Sequence, residues 1–183
     1  MVNGVPTCTI GWAGGTGHVT AMRPWLRTVE KLMLEHDHVF FASIGQAFAN
    51  ELDKRLAGRL VSLPFMALEN YPPAMTLFDI VLAPTHDGAF FRGKSTLRAM
   101  EAAALALPCI ASPHYTEAIE RGTTGEIVTN EAELIEALTL LIKDPAERQL
   151  MGDAARDKAI AEFSMQHRVE AWKTSMLAAW NAR

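Results

Sequence analysis

The sequence lacks what a membrane-spanning or secreted protein needs. No apolar run among its 183 residues approaches the roughly 20 that cross a bilayer, and the opening MVNGVPT has no basic stretch followed by an apolar one. Its two cysteines, Cys8 and Cys109, lie in apolar runs and form no C-x-x-C pair, which suits a reducing compartment. We therefore expect a cytoplasmic protein without a transmembrane segment.

The sequence also lacks an excess of positive charge. Its 17 Lys and Arg are outnumbered by 21 Asp and Glu, and nucleic acid is therefore not an expected partner, because phosphate neutralisation needs a basic surface. Internal repeats, low-complexity segments and linkers are missing too. A chain of this length with 49% apolar residues can bury one sizeable core, and we predict a single domain over residues 1–183.

Metal-binding patterns are scarce as well. No Asp-x-Asp pair occurs, and His36 and His38 stand at a predicted helix-to-strand turn without a cysteine or a carboxylate cluster to complete a site. We predict no metal site.

Six short apolar runs alternate with helical patterns along the chain. Their hydrophobicity is continuous, which indicates strands covered on both faces, as in a parallel sheet. The predicted class is α/β: a doubly wound, Rossmann-like sheet of six parallel strands in the order 3-2-1-4-5-6, with helices on both faces and extra helices at the C-terminal end. The predicted strands are 7–12, 38–44, 59–65, 79–84, 108–112 and 126–129.

Helical patterns and end signals predict the helices between these strands. Asn130 is a suitable N-cap, and Asp144-Pro145 marks the end of one helix and the start of the next. The predicted helices are 23–36, 46–56, 71–77, 94–106, 114–121, 131–143, 146–162 and 165–181. The last helix carries an apolar stripe typical of a core or domain-packing surface, formed by Val169, Trp172, Met176 and Trp180.

The first candidate site is GWAGGTGH, residues 11–18, which follows the first predicted strand. Its amides, with the next helix N-terminus, suit a phosphate or diphosphate, and His18 offers a ring N–H. It is not a P-loop, and it is not the dinucleotide fingerprint, because Thr20 stands where a third glycine belongs. A plain tight turn and a structural or solvated His18 remain the alternatives.

The second candidate site is HDGAFFRGKSTLRAME, residues 86–101, after the strand DIVLAP. Arg92 and Lys94 stand just before a helix whose first turn includes Ser95 and Thr96, and cations, hydroxyls and free helix N–H groups together suit an anion. Glu101 lies two helical turns after Lys94, on the same face. Its carboxylate suits a ribose diol, with an ordinary polar helix position as the alternative.

These segments carry a family resemblance. The order of the WAGG loop, LFDIVLAP, FRGKSTLRAMEAAALALPCIAS and YTEAIERGTTGEIV resembles the C-terminal, donor-binding half of GT-B glycosyltransferases of the large retaining, sucrose- and glycogen-synthase-like group. The resemblance covers about residues 10–182. It implies a domain that binds a nucleoside diphosphate sugar, such as a UDP- or GDP-sugar, without a metal or a cofactor.

The resemblance also implies roles for single residues. Glu101 occupies the place of the glutamate that binds the ribose hydroxyls, and Phe65 and Met66 correspond to the stretch that meets the base, although both are equally good core residues. The diphosphate would lie beside the glycine loop and the start of the helix after Lys94. The residues expected to bind the donor are Gly14, Gly15, Thr16, Gly17, His18, Lys94, Ser95, Thr96 and Glu101.

The sequence departs from the family pattern in two places. The family often carries a second glutamate eight positions before the first, where this chain has Gly93, so the resemblance provides no carboxylate for the transferred sugar there and we assign no catalytic residue. The usual arginine and lysine after the first strand are also missing. Lys94 and Arg92 are left as the main cationic candidates.

The implied function is donor binding for an enzyme that transfers a hexose to an acceptor. Because such enzymes have two Rossmann-like halves, we expect this chain to need an N-terminal acceptor-binding half and to transfer no sugar alone. The opening MVNGVPT is consistent with a start at a domain linker, and a natural short protein stays open. The parent enzyme would serve polysaccharide biosynthesis, and its peripheral association with a membrane stays open. A non-catalytic binding module and a sugar-nucleotide epimerase half are the alternatives.

Overall fold

Six parallel strands form one sheet in the order β3-β2-β1-β4-β5-β6, which confirms the predicted topology. A computed structural model describes residues 1–86 and 88–182, without the side chains of Phe90 and Arg92. The strands are β1 Cys8–Ala13, β2 Val39–Ile44, β3 Leu60–Leu63, β4 Ile80–Ala83, β5 Cys109–Ala111 and β6 Gly125–Ile127. The helices are α1 Val19–Glu35, α2 Tyr71–Met75, α3 Ala89–Arg92, α4 Leu97–Ala104, α5 Glu131–Lys143, α6 Pro145–Lys158 and α7 Met165–Asn181.

Both faces of the sheet are covered, as the continuous strand hydrophobicity predicts. In β4, Ile80 and Leu82 point into a core shared with α1 and α5. Val81 and Ala83 point to the opposite face, into a core shared with α2 and α4. Because side chains alternate along a strand, a strand that is apolar at every position needs helices on each side.

The two helices that follow β6 have the ends that their capping residues predict. The side chain of Asn130 accepts a hydrogen bond of 3.0 Å from the amide of Glu133, and α5 begins at Glu131. Oδ1 of Asp144 accepts bonds of 3.0 Å from the amides of Ala146 and Glu147, and α6 begins at Pro145. These signals are local, and packing does not override them.

Helix α1 begins at Val19 rather than at residue 23. The predicted helix, 23–36, starts where the helical pattern of the sequence starts. In the structure Pro24 lies inside α1, and the turn before it is formed because Val19 and Met22 are buried in the core. The glycine loop therefore leads directly into a helix.

Three other predicted helices are shorter or differently placed. Residues 46–56 form no α-helix, since Leu52 is extended and the Asp53 side chain accepts from the Arg55 amide at 2.9 Å to start a new 3₁₀ turn. Residues 114–121 contain only the end of a 3₁₀ turn, Pro113–Tyr115. Within the predicted helix 94–106, only Leu97–Ala104 is α-helical, and this segment is α4. The short helix α3 before it was not predicted.

The apolar stripe of α7 lies on the surface. No residue of this helix is buried, and Met176 and Trp180 are 70% and 71% exposed. The prediction gave this stripe two possible roles, and the first of them, packing into the core of this chain, is wrong. No helix in residues 1–86 and 88–182 is long and apolar enough to cross a membrane.

Candidate functional site

The candidate site lies where the direction of strand order reverses. Successive strands run outward from β1 through β2 to β3, and from β4 through β5 to β6 on the other side. The loops that follow β1 and β4 therefore flank a crevice at the carboxyl edge of the sheet, which is where open α/β sheets bind ligands.

A cavity of about 440 Å³ opens in this crevice, and we call it the Glu101 cavity. Its size is within the range of roughly 300–1,000 Å³ that is usual for small-molecule sites. Seven of the sequence-predicted residues line it: Gly14, His18, Phe65, Met66, Lys94, Ser95 and Glu101. Four others lie in the flanking segments without lining it: Gly15, Thr16, Gly17 and Thr96.

The glycine loop is a short, fixed turn. The Gly14 amide donates to the Ile44 carbonyl at 3.0 Å, and the His18 amide donates to the Gly15 carbonyl at 3.0 Å. Residues 16–18 form one 3₁₀ turn that runs straight into α1. A tight turn and a helix N-terminus are thus combined, and its exposed segment, Thr16 and Gly17, presents backbone to solvent.

Glu101 reaches the cavity from the second turn of α4. The Tyr71 hydroxyl donates a hydrogen bond of 3.1 Å to Oε2 of Glu101. Burial raises the pKa of the Glu101 carboxyl above its usual value, while the Tyr71 bond and the charge of Arg98 oppose that shift. Oε1 accepts no hydrogen bond from the described residues, so the carboxylate keeps acceptor capacity for a ligand.

Arg98 extends from the first turn of α4 across to the glycine loop. Its guanidinium carbon lies 5.8 Å from the centre of the Trp12 ring. A Cβ at position 14 would stand 3.0 Å from Nη2 of Arg98 and 2.7 Å from Cζ2 of Trp12. Glycine at position 14 is therefore what lets the guanidinium and the indole approach the loop.

His18 is a weak base in this setting. Burial, and then the charges of Arg98 and Lys94, lower the pKa of its imidazole from 6.5 to about 4. The ring packs edge-on to Phe91, with centroids 5.6 Å apart. At neutral pH His18 is uncharged, so it offers a ligand one ring N–H and no positive charge.

Of the polar residues just before α4, Lys94 and Ser95 line the cavity, and Thr96 does not. Lys94 and Ser95 are exposed, and the Lys94 carbonyl accepts a bond of 2.8 Å from Nε2 of His114. Thr96 is buried at the N-cap position, where its carbonyl starts α4. Gly93 is exposed at the end of α3 and offers no carboxylate, and the Arg92 side chain lies outside the described part of the chain.

Phe65 lies at the mouth of the Glu101 cavity and not in the core. It is 68% exposed, and the tip of its ring would be 3.2 Å from a Cβ at Gly15 or at Gly45. Met66 is only partly buried against the core. The core alternative is therefore wrong for Phe65, whose exposed ring face is free to stack on a flat ligand.

A larger cavity of about 710 Å³ adjoins the first, and we call it the Glu131 cavity. Thr85 lines both, and its backbone is fixed by two bonds: its amide donates to the Ser112 hydroxyl at 2.9 Å, and that hydroxyl donates to its carbonyl at 3.1 Å. Within the described chain, no group of three His, Cys, Asp or Glu side chains is placed to hold a metal ion.

Sequence reasoning missed Arg98 and Tyr71. Arg98 stands four residues after Lys94 and three before Glu101, a spacing that puts all three on one helical face, so its signal was present in the sequence. Tyr71 lies 30 residues from Glu101, and no local pattern links them.

Comparisons with known proteins bear on the fold and the family. The C-terminal domain of a glycosyl transferase group 1 family protein (LpcC) from Francisella tularensis is 21% identical, with a TM-score of 0.72 over 88% of this chain and 89% of that domain. Sucrose-phosphate synthase from Thermosynechococcus elongatus is 15% identical, with a TM-score of 0.74 over 97% of this chain and 46% of that protein. Anabaena HepE, solved in complex with UDP and glucose, is 18% identical, with a TM-score of 0.69 over 92% of this chain and 48% of that protein.

These structures confirm the expected fold, that of a GT-B glycosyltransferase C-terminal domain. The chain spans less than half the length of the synthase and of HepE. No curated protein sequence matches it at a significant level. The family model described as glycosyl transferase-like matches residues 23–174. The chain belongs to this glycosyl transferase-like family.

Proposed function

We propose that this chain is the donor-binding half of a glycosyltransferase that transfers a hexose from a nucleoside diphosphate. The observation that carries the proposal is the Glu101 cavity, which a partly buried carboxylate, the glycine loop and the segment before α4 line together, beside the crevice between β1 and β4. The two ends of such a cavity match the two chemically different parts of a nucleoside diphosphate.

The carboxylate end suits a ribose. Glu101 accepts one bond, from Tyr71, and its remaining lone pairs can accept from the two vicinal hydroxyls of a ribose. Hydrogen bonds to an ionised acceptor are stronger than neutral ones, which favours this partner for a carboxylate whose burial has a cost.

The opposite end suits a diphosphate. The first turn of α4 and the loop before α1 both present helix N-termini, which favour anions. Two cations, Lys94 and Arg98, line the cavity near the glycine loop, and both lower the pKa of His18 by their charge. In a transfer reaction the bond between the sugar and the diphosphate breaks, and these groups would balance the charge that the leaving phosphate gains.

The relatives support the class of donor. The structure of Anabaena HepE contains UDP and glucose, and a TarM mutant from S. aureus was solved with UDP. We extend this chemistry to the Glu101 cavity, with Phe65 as the stacking surface for the base. The acceptor would be held by a second, N-terminal half.

Calorimetry of the 183-residue chain with UDP, GDP and their 2′-deoxy forms tests the proposal. We expect the wild type to prefer the ribonucleotide, and Glu101→Ala to lose at least about 10-fold in affinity for it and little for the deoxy form. Glu136→Gln, in an exposed glutamate of α5, is the control. The proposal fails if the wild type binds no nucleoside diphosphate at millimolar concentration.

A second function, a binding module without catalysis, is favoured by one observation. Gly93 gives no side chain where the family often has a glutamate that meets the transferred sugar. The two functions differ in one measurement, made on the chain joined to an acceptor half. Sugar transfer supports the enzyme, and tight nucleotide binding without transfer or donor hydrolysis supports the module.

A further inference from the structure

The glycine loop leaves a diphosphate without charge neutralisation. Residues 14–18 contain no lysine or arginine, and His18 is neutral at physiological pH. Backbone amides alone supply partial charges, whereas a diphosphate buried in a cavity needs full ones. The missing charge has to come from another element.

We infer that Arg98 of α4 binds the diphosphate of the donor, in place of a cation from the loop after β1. This inference rests on the proposed function, since it names the residue that holds one part of that ligand. Arg98 lines the Glu101 cavity, and its guanidinium lies against Gly14 of the glycine loop.

The guanidinium is held in place but forms no salt bridge with a carboxylate of the described residues. Nη1 of Arg98 is shielded from solvent and has no hydrogen-bond partner among the described residues. Glu101, three residues further along α4, makes no ion pair with it and bonds Tyr71 instead. An arginine in the first turn of a helix also faces the positive end of the helix dipole, so its own helix disfavours it there. A bound anion would relieve all three costs.

The surroundings of Arg98 contain two further buried polar atoms that have no hydrogen-bond partner among the described residues. Nε1 of Trp12, a residue with no exposed surface, is one of them, and Nδ1 of His18 is the other. The Trp12 ring centre lies 5.8 Å from the Arg98 guanidinium carbon. Trp12 is itself fixed by an edge-on contact with Phe48, with centroids 5.1 Å apart. Buried polar atoms without a partner are rare, and three of them near one glycine loop, of which those of Arg98 and Trp12 are donors, indicate that a ligand with acceptor atoms completes the site.

Gly14 is part of the same arrangement. A methyl group at this position would stand 2.7 Å from the fixed Trp12 ring and 3.0 Å from Nη2 of Arg98. The arginine, with a long flexible stem, would move first. Gly14→Ala should therefore displace Arg98 and reproduce the effect of removing its charge.

The test measures binding of three probes by calorimetry: inorganic pyrophosphate, UDP and uridine. The variants are Arg98→Gln, Arg98→Lys and Gly14→Ala, and Arg27→Gln on the exposed side of α1 is the control. We expect Arg98→Gln and Gly14→Ala to weaken pyrophosphate and UDP by about 10-fold or more, and uridine by less than about 2-fold. Arg98→Lys should recover part of the loss, since it keeps the charge but not the planar fork. The control should bind as the wild type does.

Each failure has its own pattern. If Arg98→Gln is folded by circular dichroism and binds UDP as tightly as the wild type, Arg98 is not the ligand and the donor-binding function stands. If pyrophosphate binds in an Arg98-dependent way but UDP binds no more tightly than pyrophosphate, the anion site stands and the proposed function fails. If the wild type binds neither probe, both are overturned. Should Arg98→Gln fail to fold, Arg98→Lys and Gly14→Ala with unchanged UDP affinity would overturn the inference.

Discussion

The Tyr71 hydroxyl, at the start of α2, donates a 3.1 Å hydrogen bond to the carboxylate of Glu101 on α4. Two elements that pack on the same face of the sheet thus meet at one carboxylate, beside the crevice between β1 and β4. The bond favours the ionised form of a carboxyl group that burial disfavours.

Tyr71→Phe should raise the pKa of Glu101 further, because the bond that lowers it is lost while the burial that raises it remains. Carboxyl carbon chemical shifts in a pH titration measure this directly. Only the ionised carboxylate accepts bonds from two hydroxyls. As the pH is lowered, the UDP affinity of Tyr71→Phe should therefore begin to fall at a higher pH than that of the wild type. Tyr115→Phe removes the hydroxyl of another cavity-lining tyrosine, which has no bond to Glu101, and serves as the control. An unchanged Glu101 pKa in Tyr71→Phe would contradict the prediction.

Lys94→Ala should weaken the binding of UDP more than that of uridine, and more at low salt than at high salt. Lys94 is exposed at the cavity edge, so salt screens its attraction to a diphosphate, with a Debye length of about 10 Å at 0.1 M. Calorimetry in two salt concentrations measures both effects. Lys31→Ala, on the exposed side of α1, should change neither affinity. A loss that is equal for UDP and uridine would point to a structural role for Lys94.

His18 should make stability depend on pH. Its pKa is about 4 in the folded protein against an ordinary 6.5, so the unfolded chain takes up a proton first as the pH falls. Its contribution to the free energy of unfolding is fully present above pH 6.5 and is lost as the pH falls towards 4. Urea unfolding measures the free energy of unfolding near neutral pH and at about pH 5. The loss of this free energy between the two conditions should be smaller for His18→Gln than for the wild type.

The control for this prediction is His167→Gln, in an exposed histidine of α7, which should keep the wild-type dependence on pH. If His18→Gln loses as much stability as the wild type between the two conditions, the imidazole is not the group responsible.

Ala106→Gly should stabilise the chain by roughly 0.5–1 kcal/mol. Ala106 lies two residues after the last residue of α4 and has a φ of 56°. The Leu107 amide donates to the Ala102 carbonyl and the Ala106 amide to the Ala103 carbonyl, a pattern that usually has glycine at this position. Relief of strain of about 1–2 kcal/mol is partly offset by the greater freedom of glycine in the unfolded chain.

Urea unfolding of Ala106→Gly and of Ala104→Gly separates these effects. Ala104 is exposed in the last turn of the same helix, so glycine there should cost about 0.5–1 kcal/mol. If both substitutions destabilise, the backbone at position 106 is not strained.

Local signals explain why much of the fold could be predicted from the sequence. Strands that are apolar at every position imply helices on both faces, and side-chain caps such as Asn130 fix where a helix begins. Prediction failed where packing extended an element beyond its local pattern: the helical pattern starts at residue 23, but burial of Val19 and Met22 carries α1 back to Val19. The predicted helix 46–56 does not form, because the Asp53 side chain caps a separate 3₁₀ turn, Lys54–Arg59, in the middle of the helical pattern.

The sequence by itself determined the α/β class, the strand order, the glycine loop and the position of Glu101 on its helix, since each depends on periodicity, spacing or topology along the chain. Only the tertiary structure decided what surrounds Glu101 and the loop. The bond from Tyr71, the reach of Arg98 to Gly14 and the ring of Trp12 beneath it join residues from 30 to 86 positions apart. Such contacts depend on how α2, α4 and β1 pack on one sheet, and no local pattern carries that information.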